Sequence, residues 1–184
     1  AVAQPGVAEE VAQFTVDETQ LGNYEGKFLK IQRKTRATLA DIINDKSVGI
    51  IEEYPERNIK IIAKPLGVIG ALAPSTNPEA TPVIKGIHAV KGRNSIIIAP
   101  HPRAKLTNKK ICDLMRGALL RMGAPEDLVL GLESPSLHST ILSTLRRLAP
   151  SHAPSESLLS LPWGYSLRGV ATTTPQLPQT SLLI

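Results

Sequence analysis

The sequence predicts an α/β fold built on a parallel sheet, and three observations carry that reading. Residues 67–73 and 95–99 are short apolar runs, and each is followed by a polar, proline-bearing turn. Each turn then gives way to a helical pattern, over 78–91 and 105–122. A further short apolar run, 128–130, follows the second of these. Short strands that alternate with helices imply parallel pairing, which places the turns leaving the strands on one edge, where open α/β sheets bind ligands. The turns Pro74-Ser75-Thr76-Asn77-Pro78 and Pro100-His101-Pro102-Arg103 are therefore expected side by side, and chemistry is expected there.

Upstream, Val7, Val11, Phe14 and Val16 give an imperfect helical stripe over 7–20, which Gly22 and Asn23 break. Phe28, Ile31, Leu39 and Ile42 predict a stronger helix over 27–45. Its basic run, Lys30, Arg33, Lys34 and Arg36, reads as a solvated face rather than a phosphate site. Residues 48–54 and 58–63 are rich in Ile and Val around the turn-like Pro55-Glu56-Arg57, which predicts a strand pair. The helix over 78–91 has Ala80, Val83, Ile84, Ile87 and Val90 on one side; Thr76 or Asn77 is expected to cap it, with Pro78 in its first turn and Gly92 at its end. The helix over 105–122 presents Ile111, Leu114, Met115, Ala118 and Leu119, and Gly123 closes it.

Composition excludes several functions. The net charge of +5 on 184 residues is spread over segments of mixed sign, and no basic stripe with interleaved aromatics suggests nucleic acid. Aromatic residues make up only 3%, so the core is expected to be aliphatic. The single cysteine, Cys112, allows neither an internal disulfide nor a multi-thiolate metal site, and no metal site is expected. No apolar run reaches the roughly 20 residues of a membrane helix. The start, AVAQPGVAEEVAQF, has neither signal-peptide features nor an initiator methionine; a cytoplasmic protein with a missing start is expected.

The stretch GVIGALAPSTNPEATPVIKGIHAVKGRN, followed by IIIAPHPRAK, resembles the CoA-acylating branch of the aldehyde dehydrogenase superfamily. That branch holds the acylating acetaldehyde and sulfoacetaldehyde dehydrogenases and the aldehyde half of bifunctional aldehyde–alcohol dehydrogenases. The resemblance runs from about residue 11 to 136. It implies an incomplete Rossmann-like cofactor domain over 1–136 with a strand-pair extension at 48–63, of the kind the family uses in part for subunit association. It also implies an NAD- or NADP-dependent oxidoreductase with CoA as co-substrate, a small aldehyde as substrate, and a homo-oligomer when complete. No nucleic-acid or membrane partner is implied. A non-catalytic role is the alternative: a truncated paralogue that binds full-length subunits through the strand pair.

Within the turns, Asn77 is the leading candidate. A side-chain amide at a strand-to-helix turn can stabilise the oxyanion that develops when a thiolate attacks an aldehyde. Asparagine is equally at home as a helix cap, and it is the resemblance that implies the oxyanion role. The resemblance also places Ser75 and Thr76 beside the dinucleotide, and Pro100, His101, Pro102 and Arg103 at the adenosine ribose. Arg103 suits either a phosphate or a surface ion pair. No sequence-adjacent carboxylate supports His101 as a base. A G-x-G-x-x-G fingerprint is absent, which is neutral because the family binds its cofactor differently. The family's nucleophilic cysteine has no counterpart: Cys112 lies in a helical pattern without the motif and reads as a small buried hydrophobe.

Residues 137–184 change character, rich in Ser, Thr, Pro and Leu, with Arg146, Arg147, Glu156 and Arg168 the charged side chains. An irregular tail, disordered or poorly packed, is expected. Codons for Gln179-Thr180-Ser181-Leu182-Leu183-Ile184 can be chosen so that a two-nucleotide shift reads Asp-Lys-Ser-Ala-Asp, similar to the family's sequence. A frame-shifted translation is therefore expected. Coding DNA with no dehydrogenase-like reading in another frame would dismiss it.

Overall fold

The computed structural model describes residues 1–136; the expectations for residues 137–184 lie outside the described residues. Two helices come first, then a hairpin, then a β–α–β–α–β unit. Helix α1 spans Val7–Thr19 and α2 spans Tyr24–Ile42. Ala8, Val11 and Ala12 of α1 pack with Ile31 of α2 in an aliphatic cluster that also takes in Val83 and Ile111.

Helix α2 begins earlier than the apolar period suggests, because Asn23 starts it instead of breaking the chain. Its backbone is extended and its Oδ1 accepts the Gly26 N–H at 2.8 Å, satisfying one of the helix's otherwise unpaired donors. An Asn23→Ala chain is expected to lose about 1 kcal/mol of stability in urea unfolding.

Strands β1 (Gly49–Tyr54) and β2 (Ile59–Ala63) form an antiparallel pair in a sheet of their own. A 3-10 turn over Pro55–Arg57 joins them, closed by Asn58 in the left-handed region at φ 53°. Ile50, Ile59 and Ile62 of this hairpin are exposed.

The main sheet has the order β3 (Val68–Ala73), β4 (Ser95–Pro100), β5 (Val129–Gly131), with both pairings parallel. Helix α3 (Thr81–Lys91) connects the first two strands and α4 (Lys105–Arg121) the last two. The register pairs Ile69 with Ile96 and Ala71 with Ile98. These side chains share one face, and there Ala71, Ala73, Ile96 and Ile98 bury with Ala89, Cys112 and Val129. On the alternate face of β3, Leu72 is 57% exposed.

Helix α3 differs from expectation at its start. It begins at Thr81, not Pro78, with Pro82 in its first turn and no side-chain cap. Asn77 takes part only through its carbonyl, which accepts the Thr81 N–H at 3.1 Å. Residues 78–80 form a turn that carries Glu79 inward, and that side chain is fully buried. At the other end of the unit, Gly123 follows α4 at φ 72°, in the conformation expected of a helix-closing glycine. None of the helices among the described residues is long and apolar enough to cross a membrane.

Candidate functional site

Parallel register brings the two turns together. Ala73 and Pro100 end their strands as partners, and the His101 N–H donates to the Ala73 carbonyl at 2.9 Å. Ser75–Asn77 and Pro100–Arg103 therefore leave the same edge of the sheet from neighbouring strands. Ser75 and Asn77 are half-buried, Thr76 is exposed, and Pro100 is buried beneath the exposed His101 and Arg103.

The second turn is held largely by its own groups. His101 Nδ1 accepts the Arg103 N–H at 3.1 Å, which places the proton of the neutral ring on Nε2 and starts the 3-10 turn Pro102–Ala104. The Arg103 guanidinium donates to the Thr19 carbonyl at 3.1 Å and so closes the end of α1. Glu18 completes this junction from the other side: its two carboxylate oxygens accept the Leu106 and Thr107 N–H groups, each at 2.7 Å, at the start of α4. A carboxylate there suits the positive end of a helix.

The first turn is fixed by α2, through Lys27, which sequence reasoning passed over, and Lys30, which it read as part of a solvated face. Lys27 is buried, and its Nζ donates to the Thr76 carbonyl at 2.7 Å and to Glu79 Oε2 at 3.2 Å. Lys30, one turn further along, donates from Nζ to Asn77 Oδ1 at 2.7 Å. The Asn77 Nδ2 group makes a long bond of 3.3 Å to Thr76 Oγ1. Lys30 is thus no part of a purely solvated basic face; Arg33, Lys34 and Arg36 are exposed as expected. The signal for Lys27 was Glu79, the one charged side chain between Pro74 and Ile84, a charge that needs a partner when buried. Which lysine supplies it, 52 residues away, is not written locally. Beside the turn lies a cavity of about 370 Å³ lined by Leu21, Gly22, Asn23, Gly26, Lys27, Lys30 and Thr76.

Cys112 faces the sheet, not the turns. It is 3% exposed in the cluster with Ala71, Ile96 and Val129. Burial, with Asp113 adding to it, pushes its thiol up to about 12. A thiolate nucleophile needs the opposite environment. The folded chain is expected to resist a disulfide-exchange reagent at pH 8 and to react once unfolded in urea. The folded-state value is raised, so this thiol is neutral in both states below the ordinary value near 9. Stability then falls as pH rises from there towards 12, by up to roughly 1.4 kcal/mol per pH unit.

Comparison with known proteins places this geometry. The chain is 48% identical over 130 residues to a sulfoacetaldehyde dehydrogenase from an Acholeplasma species, covering 71% of this chain and 27% of the relative. Among solved structures, the acetylating aldehyde dehydrogenase of Geobacillus thermoglucosidasius superposes with a TM-score of 0.74 at 34% identity, over 77% of this chain and 31% of that one. The propionaldehyde dehydrogenase of Rhodopseudomonas palustris, solved with propionyl-CoA bound, gives a TM-score of 0.61 at 31% identity, over 78% of this chain and 31% of that one. No protein-family model matches the chain. The chain spans only about a quarter of the length of the curated relatives it matches. Over the stretch it shares with them, it belongs to the CoA-acylating branch of the aldehyde dehydrogenase superfamily.

Proposed function

We propose that residues 1–136 are a partial cofactor domain of an acylating aldehyde dehydrogenase, the part that supplies one wall of the dinucleotide cleft and the oxyanion donor. The carrying observation is the pairing of the Ser75–Asn77 and Pro100–Arg103 turns on one sheet edge. The exposed leucine on the far face of β3 agrees with a partial domain, since parallel sheets are ordinarily covered on both faces.

In this reading the activity is oxidation of an aldehyde to its acyl-CoA; residues of the two turns would hold NAD or NADP, which would supply the hydride acceptor. The residues present fit that group. Thr76 offers an exposed hydroxyl, Ser75 a half-buried one, and the exposed Pro102 gives rigid apolar surface for a ribose and adenine, while the buried Pro100 supports the turn from beneath. His101 Nε2 is the ring nitrogen left for a ligand, because Nδ1 is occupied. Arg103 already serves the Thr19 carbonyl, so its part is to hold the turn. Asn77 Nδ2 donates to the developing oxyanion. Cys112 is not the nucleophile, so the thiol must come from sequence outside these 184 residues, and this chain alone is inactive.

The test is a graft. Residues 1–136 replace the corresponding stretch of the Acholeplasma relative, and acyl-CoA and NADH formation are followed with acetaldehyde and sulfoacetaldehyde. The reading expects turnover from the graft and none from the isolated chain. A folded graft without turnover overturns it.

The exposed isoleucines of the hairpin favour one further role, association with complete subunits of the same family. Co-expression with such a subunit is expected to give a complex that survives size-exclusion chromatography. Ile62→Lys is expected to abolish it.

A further inference from the structure

We propose that Lys27 and Lys30 are positioning residues that aim the Asn77 amide, one through the backbone of its turn and the other through its side-chain oxygen. The proposal rests on the reading of Asn77 as oxyanion donor for its purpose, though not for its geometry. The chemistry of the donor decides the orientation. An ammonium group has three donors and no acceptor. Lys30 Nζ at 2.7 Å can therefore face only the amide oxygen, and Nδ2 must point the other way. Without such a partner the two ends of an asparagine amide are nearly equivalent in shape, and either can face a ligand. Only the Nδ2 end can donate to an oxyanion. The same bond draws electron density towards Oδ1, which makes the N–H groups better donors.

Lys27 acts on the frame. Its Nζ spans the Thr76 carbonyl and Glu79, the residues on either side of Asn77 and Pro78, so both ends of the turn are tied to one buried point on α2. Because α2 carries both lysines one turn apart, the amide and its backbone are referenced to the same rigid element. A merely structural ion pair would not need Lys30, which is half-buried and has water available as an alternative partner.

The experiment is side-chain ¹⁵N relaxation on the 184-residue chain labelled at asparagine. The Asn77 Nδ2 signal is assigned by its loss in Asn77→Ala. In the unaltered chain its order parameter is expected near that of rigid backbone, about 0.8, and in Lys30→Met it is expected to fall below about 0.6. Lys30→Arg, which keeps a cationic donor, is expected to restore it. Backbone amides of residues 74–80 should stay rigid in both Lys30 variants and loosen in Lys27→Met. Should Lys27→Met fail to fold, the Lys30 pair decides alone. An Nδ2 group equally mobile, or equally rigid, in the unaltered chain and in Lys30→Met overturns the proposal. Loss of the graft's turnover on Asn77→Ala is a separate readout and bears only on the oxyanion role, so the two ideas can fail independently.

Discussion

In the grafted enzyme, Asn77→Ala is expected to lower kcat by about 10²–10³-fold and to leave KM for the aldehyde and for CoA nearly unchanged. An oxyanion donor acts on charge that exists only as the carbonyl is attacked, so its loss raises the barrier by roughly 3–4 kcal/mol without weakening ground-state binding. A capping role predicts otherwise. The structure leaves the cap of α3 to no side chain, and the Asn77 carbonyl that accepts the Thr81 N–H survives substitution. Asn77→Ala should therefore unfold at nearly the same urea concentration as the parent. If kcat holds while stability drops, Asn77 is a structural residue and the assignment is lost.

The second large effect is on stability. Lys27→Met is expected to cost the chain about 3–5 kcal/mol, measured by urea unfolding. The side chains of this ion pair are 2% and 0% exposed, and Glu79 Oε1 already lacks a hydrogen-bond partner. Taking away the ammonium leaves a carboxylate with neither water nor counter-charge, and strands the Thr76 carbonyl as well. Against a total stability of about 5–15 kcal/mol for a domain, that loss is severe. Lys27→Met combined with Glu79→Leu should recover much of it, because the double replacement removes both charges together. A double variant no more stable than the single one would show that the lysine contributes by packing alone.

Surface pairs should behave differently. The Lys109–Asp113 bridge, at 3.2 Å on the exposed face of α4, joins groups that water solvates well, and its loss should scarcely move the unfolding midpoint. The contrast follows from burial, not from distance, since both bridges measure 3.2 Å.

Much of the architecture was legible locally. Apolar runs of strand length, prolines and glycines at their ends, and helical periods between them settle the β–α–β–α–β unit, because backbone hydrogen bonding and burial of apolar faces leave few other solutions. The boundaries that slipped did so for stated reasons. Asn23 begins α2 because an amide side chain beside a helix can cap as readily as it can break, and α3 starts late because Glu79 turns inward to a distant lysine. The burial of Cys112 was also readable, from the helical pattern around it.

What the sequence alone determined is which side chains stand at the carboxyl edge of the sheet, for strand–turn–helix order and parallel pairing follow from local pattern. What only the tertiary structure decided is how they are aimed. Lys27 and Lys30 reach residues 49 and 47 positions away, and Arg103 reaches back 84 to the end of α1. Contacts of that span depend on how helices dock, which is set by the shape of the whole core and leaves no periodic mark on the chain.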